Sequence, residues 1–202
     1  MAAGHPEHDP GVARRRFWRM RQAPHFAALV LAVALTGSIA PSAIARGVGA
    51  PIQPLLVQDL GGLAAQVLAQ WITEARRAIL GAGTQPVPPQ IVQALSGYFP
   101  PALLQQVRYR SGGSTEMSLP GLAFQYGDTA AVTLVDVIMF DREADAQQDL
   151  KLWAHELTHV MQYRRWGIDG FAARYIADSR GVEREAYSSA DRFVAWRYSQ
   201  RR

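Results

Sequence analysis

The chain contains no cysteine in 202 residues. That absence excludes disulfides and every zinc site built on thiolate, so any metal must be held by histidine and carboxylate. Histidine is itself scarce. There are five, and His5, His8 and His25 lie in an N-terminal stretch with the marks of a leader, which leaves His155 and His159. A confident membrane span is missing as well, because the apolar stretch Phe26 to Leu35 is too short and too rich in small residues. A surplus of positive charge also disappears once the charges are placed. Five of the 21 basic and two of the 17 acidic residues fall within residues 1–45, leaving 16 against 15, although the whole chain has a pI near 9.8. No basic face remains to neutralise phosphates in number, so the expectation is no nucleic-acid partner.

Residues 1–45 are ordered as a secretory signal peptide is. A basic run from Arg14 to Arg21 precedes the apolar stretch, and small residues ending Ala43-Ile44-Ala45 offer a cleavage point after Ala45. Arg14-Arg15-Arg16-Phe17-Trp18 is similar to a twin-arginine export signal, with Ala13 where serine or threonine is usual, and the h-region equally suits general secretion. Either route predicts a periplasmic or secreted protein, with membrane association only if the leader stays uncleaved.

Beyond the leader, residues 46–99 read as an N-terminal helical region. Its main helix is expected from Leu55 to Leu80, with Leu56, Leu60, Leu63, Val67, Trp71, Ala75 and Ile79 as the apolar stripe and Gly61-Gly62 as a weak point. Residues 100–202 read as the principal domain. Gln106 to Arg110 alternates as a strand does, and Ala131 to Phe140, rich in β-branched residues, reads as the clearest strand. A helix follows whose core stripe is Leu150, Trp153, Ala154, Leu157 and Met161. Gly167 ends it, a segment from Phe171 to Ala177 precedes a loop from Asp178 to Gly181, and a last helix runs from Val182 to Arg197.

The chemistry lies in His155-Glu156-Leu157-Thr158-His159. Residues four apart on a helix share a face, so both imidazoles reach one ion, and the carboxylate one residue on from the first lies beside the water that such an ion binds. A catalytic zinc takes three protein ligands and keeps one position open. The third candidate is Glu183, on the last helix, with Glu185 as its rival; two residues apart, they face different ways, and only one can serve. Glu156 is the expected general base. An oxyanion donor would come from Tyr175, Tyr187 or Arg184.

The run from Leu152 to Gln162, with the strand before it and Glu183-Arg184-Glu185-Ala186 after it, resembles the extracellular contractile injection system core domain and, more distantly, the glutamate-type zincins. The resemblance extends over about Pro100 to Tyr187. It implies a zinc metallopeptidase hydrolysing peptide bonds, a peptide or protein as substrate, His155, His159 and Glu183 as ligands of Zn2+, and a zincin-like α+β fold, mainly helical with a small sheet packed on the motif helix. In glutamate-type zincins an aspartate that orients a zinc-bound histidine stands four residues after the glutamate ligand. Tyr187 stands there in this chain, and Asp191 is the nearest carboxylate beyond it. The competing reading is a zinc-stabilised binding module of the cell envelope without turnover.

Overall fold

The computed structural model describes residues 54–112 and 130–201, so the expected leader lies outside the described residues. The elements are α1 (Pro54–Gly81), β1 (Gln85–Pro86), α2 (Pro89–Leu95), α3 (Pro101–Gln106), β2 (Arg108–Ser111), β3 (Ala131–Leu134), β4 (Val137–Phe140), α4 (Glu143–Gln148) and α5 (Leu150–Ser199). The fold is α+β, mostly helical, with one small mixed sheet. No described helix is long and apolar enough to cross a membrane.

The sheet runs β1-β2-β4-β3: β2 pairs with β4 in parallel, and β1 and β3 lie antiparallel at the two ends. The expected single strand from Ala131 to Phe140 is therefore a hairpin. The chain reverses at Val135-Asp136, with Val135 at φ 65°. Two-residue hairpin turns favour that left-handed geometry, but a β-branched residue disfavours it, and nothing in the composition of the run announces the turn. The corner is fastened from outside: the Arg76 guanidinium donates to both oxygens of Asp136 at 2.6 and 2.9 Å.

All four residues of β4 are buried, and they alternate between two apolar clusters. Ile138 and Phe140 join the cluster around Trp153, with Tyr109, Leu103, Leu157 and Phe193. Val137 and Met139 join a second cluster with Leu68, Ile72 and Ile79 of α1. The sheet is thus packed on both faces, as a continuous apolar run implies. Trp153 is fully buried, 4.8 Å from the Phe140 ring and 5.7 Å from that of Tyr109, and its indole N–H donates to the Ala146 carbonyl at 2.7 Å.

Helix α1 passes unbroken through Gly61-Gly62; Ala75 and Ile79 of the expected stripe are buried, but in the first half of the helix the buried face is turned from it. Ala64, Ala65, Leu68, Ala69, Ile72, Ala75 and Ile79 are buried, whereas Leu60 and Leu63 are half exposed. Four alanines take part in that face beside Leu68, Ile72 and Ile79, and Leu60 and Leu63 are left outside. Met161 is likewise exposed, and Val160 takes the buried position expected of it.

Candidate metal centre

Helix α5 starts at Asp149, whose carboxylate accepts the Leu152 N–H at 2.9 Å. Residues 150–166 contain neither glycine nor proline, so the helix runs on through the motif. Every residue from Leu152 to Val160 is buried, including His155, Glu156 and His159. Burial of both faces follows from what comes next. Gly167 takes φ 69°, a conformation that a side chain disfavours, and breaks the helix. Residues 168–177 form a second rod, and Asp178 interrupts it at φ −152°. The Asp178 carboxylate accepts the Gly181 N–H at 2.9 Å and so starts the third rod, 179–199. The expected loop from Asp178 to Gly181 contracts to that single break.

The third rod carries Glu183 back over the histidines. Its Oε2 lies 3.3 Å from His155 Nε2 and 3.5 Å from His159 Nε2, and the two Nε2 atoms are 3.1 Å apart. The three donors form a nearly equilateral triangle. Around a tetrahedral ion with ligands at roughly 2.0–2.1 Å, donor atoms stand about 3.3–3.4 Å apart, so the spacing fits a small divalent cation. The cluster of His155, His159 and Glu183 could hold a metal ion. Glu185 points elsewhere, accepting from Gln162 at 3.1 Å and pairing with Arg165 at 2.8 Å.

Without an ion, these groups perturb one another. Burial alone would depress His159, but the Glu183 carboxylate, with Glu156 and Gln162, outweighs it and raises the imidazole to about 9. Burial pushes Glu183 up, and the two histidines more than reverse this, holding it well below the usual carboxylate range. Tyr175 is raised by burial and by Glu183, to which its hydroxyl donates at 3.4 Å.

Glu156 has a partner from the sheet. The Thr133 hydroxyl on β3 donates to its Oε2 at 2.6 Å, leaving the other oxygen uncommitted to Thr133. The Tyr187 ring lies 4.4 Å from that of His155 and tilted to it by 55°, and burial, then Glu183 and Glu156, push its hydroxyl up to about 12. Arg184 is exposed and lies 3.9 Å from Asp178, and Asp191 pairs with Lys151 at 2.6 Å; neither is in the triangle. Two residues that sequence reasoning passed over complete the surroundings. Gln162 shares the motif face one turn beyond His159, a spacing that could have identified it, whereas Thr133 reaches Glu156 only through tertiary packing.

Residues 86–167 match the family model for the eCIS core domain. The match supports a place in the eCIS core family. It spans less than half of the chain, and it includes His155, Glu156 and His159 of the motif but stops at the Gly167 break, before Glu183. No curated protein and no solved structure matches the chain.

Proposed function

We propose that this chain is an exported, zincin-like zinc metallopeptidase that hydrolyses peptide bonds, with His155, His159 and Glu183 as the zinc ligands and Glu156 as the general base. The observation that carries the reading is the donor triangle, two imidazole nitrogens and one carboxylate oxygen 3.1 to 3.5 Å apart. In a chain without cysteine, that donor set suits zinc, and three protein donors leave a fourth position for chemistry. The chemistry such an ion supplies is Lewis acidity, which acidifies water and polarises a carbonyl.

The chain's own residues do the rest. Thr133 fixes one oxygen of Glu156, and the other oxygen accepts the proton of the attacking water as the new C–O bond forms. Glu156 then delivers that proton to the amine nitrogen as the C–N bond breaks. Burial of Glu156 and both histidines keeps bulk water from competing for these bonds. Tyr175 and Tyr187, whose hydroxyls are held further from ionisation by burial and by Glu183, are donors near the site for the developing oxyanion.

One observation favours a second reading, a zinc-stabilised binding module of the cell envelope. The ring of Tyr187 lies against His155 where a carboxylate is expected, and His155 Nδ1 is buried without a hydrogen-bond partner among the described residues. A histidine lacking that support is a weaker catalytic ligand. Zinc analysis of the purified protein beside His155→Ala and Glu183→Ala, with casein hydrolysis followed in the same samples, separates the readings. One zinc per chain, lost in both variants and accompanied by chelator-sensitive cleavage, supports the peptidase. Zinc without cleavage supports the module, and absence of zinc refutes both.

A further inference from the structure

Gln162 is almost wholly buried, at 1% exposure, and it touches three groups. Its Oε1 is 2.8 Å from His159 Nδ1, while its Nε2 donates to the Val182 carbonyl and to Glu185 Oε2, each at 3.1 Å. The orientation of the amide follows from chemistry. A carbonyl oxygen and a carboxylate oxygen can only accept, so the end of Gln162 that faces them must be the NH2 group. The end that faces His159 is then the oxygen, and an oxygen there requires a hydrogen on Nδ1. The lone pair of neutral His159 is thereby placed on Nε2, toward Glu183 and His155.

We infer that Gln162 is a positioning residue that fixes the tautomer and ring angle of His159 for metal binding, itself held by Val182 and by the Glu185–Arg165 pair on the returning rod. This rests on the metal reading above. The same contacts give Glu185 its role: it orients the amide that orients the ligand. Arg165 donates to both oxygens of Glu185, at 2.9 and 2.8 Å, completing a relay from the surface to His159. Among the described residues His155 has no such device, for its Nδ1 has no hydrogen-bond partner there and its ring packs against Tyr187. The two ligands are therefore held by different means, and they should respond differently to substitution.

The test uses the full chain in three forms: wild type, Gln162→Met, which removes both ends of the amide, and Glu185→Ala, which leaves Gln162 in the core and takes away the partly exposed carboxylate that accepts from its NH2 group. Zinc affinity is measured by competition with a chromophoric chelator, the visible bands of the cobalt(II) derivative are recorded, and each metal-free form is melted to establish that it folds. Loss of an outer hydrogen bond to a ligating histidine weakens metal binding roughly 10- to 100-fold. Gln162→Met is expected to fall in that range with altered cobalt bands, and Glu185→Ala to weaken zinc binding by at least about threefold with a shift of the same bands. A folded Gln162→Met that binds zinc as wild type does overturns the inference. If that variant does not fold, Glu185→Ala decides: a folded form with weaker zinc binding and shifted bands supports the relay, and one indistinguishable from wild type overturns it. A wild type that binds no zinc is a separate outcome, which removes the metal reading itself.

Discussion

The ion pair between His159 and Glu183 makes the stability of the metal-free protein fall as pH rises through the neutral range. His159 is raised from 6.5 to about 9 in the folded chain, after burial has worked against it and Glu183 for it. A raised folded value means that the native state holds the proton more tightly than the unfolded chain does. Its contribution is complete below about 6.5 and is lost as pH rises through about 9. At about 1.4 kcal/mol per pH unit, a shift of that size is worth on the order of 3 kcal/mol. Glu183, held below its ordinary range, contributes above about 4.5 and loses its effect as pH falls. That is the same contact seen from the other partner, so the energy is counted once.

For a protein of this size, about 3 kcal/mol corresponds to a fall in Tm of roughly 6–12 °C. Thermal melts of chelator-treated protein between about pH 6.5 and 9.5 measure it, the upper limit staying below free tyrosine ionisation. Glu183→Gln should flatten the curve by removing the charge that raises His159. Zinc reverses the sign, because protons compete with the ion for imidazole nitrogen, so the stabilisation gained from zinc should grow with pH. A metal-free Tm that is level across the window, or that falls equally in Glu183→Gln, would refute the assignment of this pair as the dominant electrostatic feature of the centre.

Glu156→Gln should retain zinc at the wild-type level while casein cleavage drops by roughly 10²- to 10⁴-fold, and concurrent metal loss would mean that Glu156 has another role. Thr133→Val removes the 2.6 Å bond to a buried carboxylate and should destabilise by about 1–3 kcal/mol in urea titration, without altering zinc stoichiometry. Trp153→Ala empties the centre of the first cluster, and a loss of about 3–5 kcal/mol is expected by the same titration. Gly167→Ala must adopt φ 69° at a cost of about 1–2 kcal/mol; a Tm unchanged from wild type would show that the reversal can be made otherwise.

The features legible in the sequence are those set by local rules. The motif helix follows from the spacing of His155 and His159, and its end from Gly167. The choice of Glu183 over Glu185 comes from a resemblance; in the structure Glu183 stands beside the two histidines and Glu185 beside Gln162 and Arg165. The features that escaped depend on contacts distant in sequence. The Val135-Asp136 turn lies inside a run whose composition favours continuous strand, and Arg76 reaches it from 60 residues away. The first half of the α1 stripe departs from expectation because Leu60 and Leu63 outrank Ala64 and Ala65 in hydrophobicity while the packing buries the alanines; Ala75 and Ile79, further on, are buried as expected. Thr133 follows the same logic, since its strand meets Glu156 only when sheet and helix are assembled.

The segment matching the eCIS core domain contains the histidine pair and Glu156, yet the triangle closes only through a residue beyond it. Two backbone interruptions make that closure possible. A straight helix rises about 1.5 Å per residue, so 24 residues of unbroken helix would carry Glu183 on the order of 36 Å from His159. Gly167 and Asp178 fold that distance back to 3.5 Å, and the Asp178 cap sets the phase of the third rod so that Glu183 faces inward and Glu185, two residues on, reaches Gln162. The second rod between them has its own contacts, with Phe171 stacked 3.9 Å from Tyr163 and 5.7 Å from Tyr175. The metal centre is therefore a property of the reversal as much as of the motif: the histidines supply two donors on one helix face, and the fold beyond Gly167 decides which carboxylate joins them.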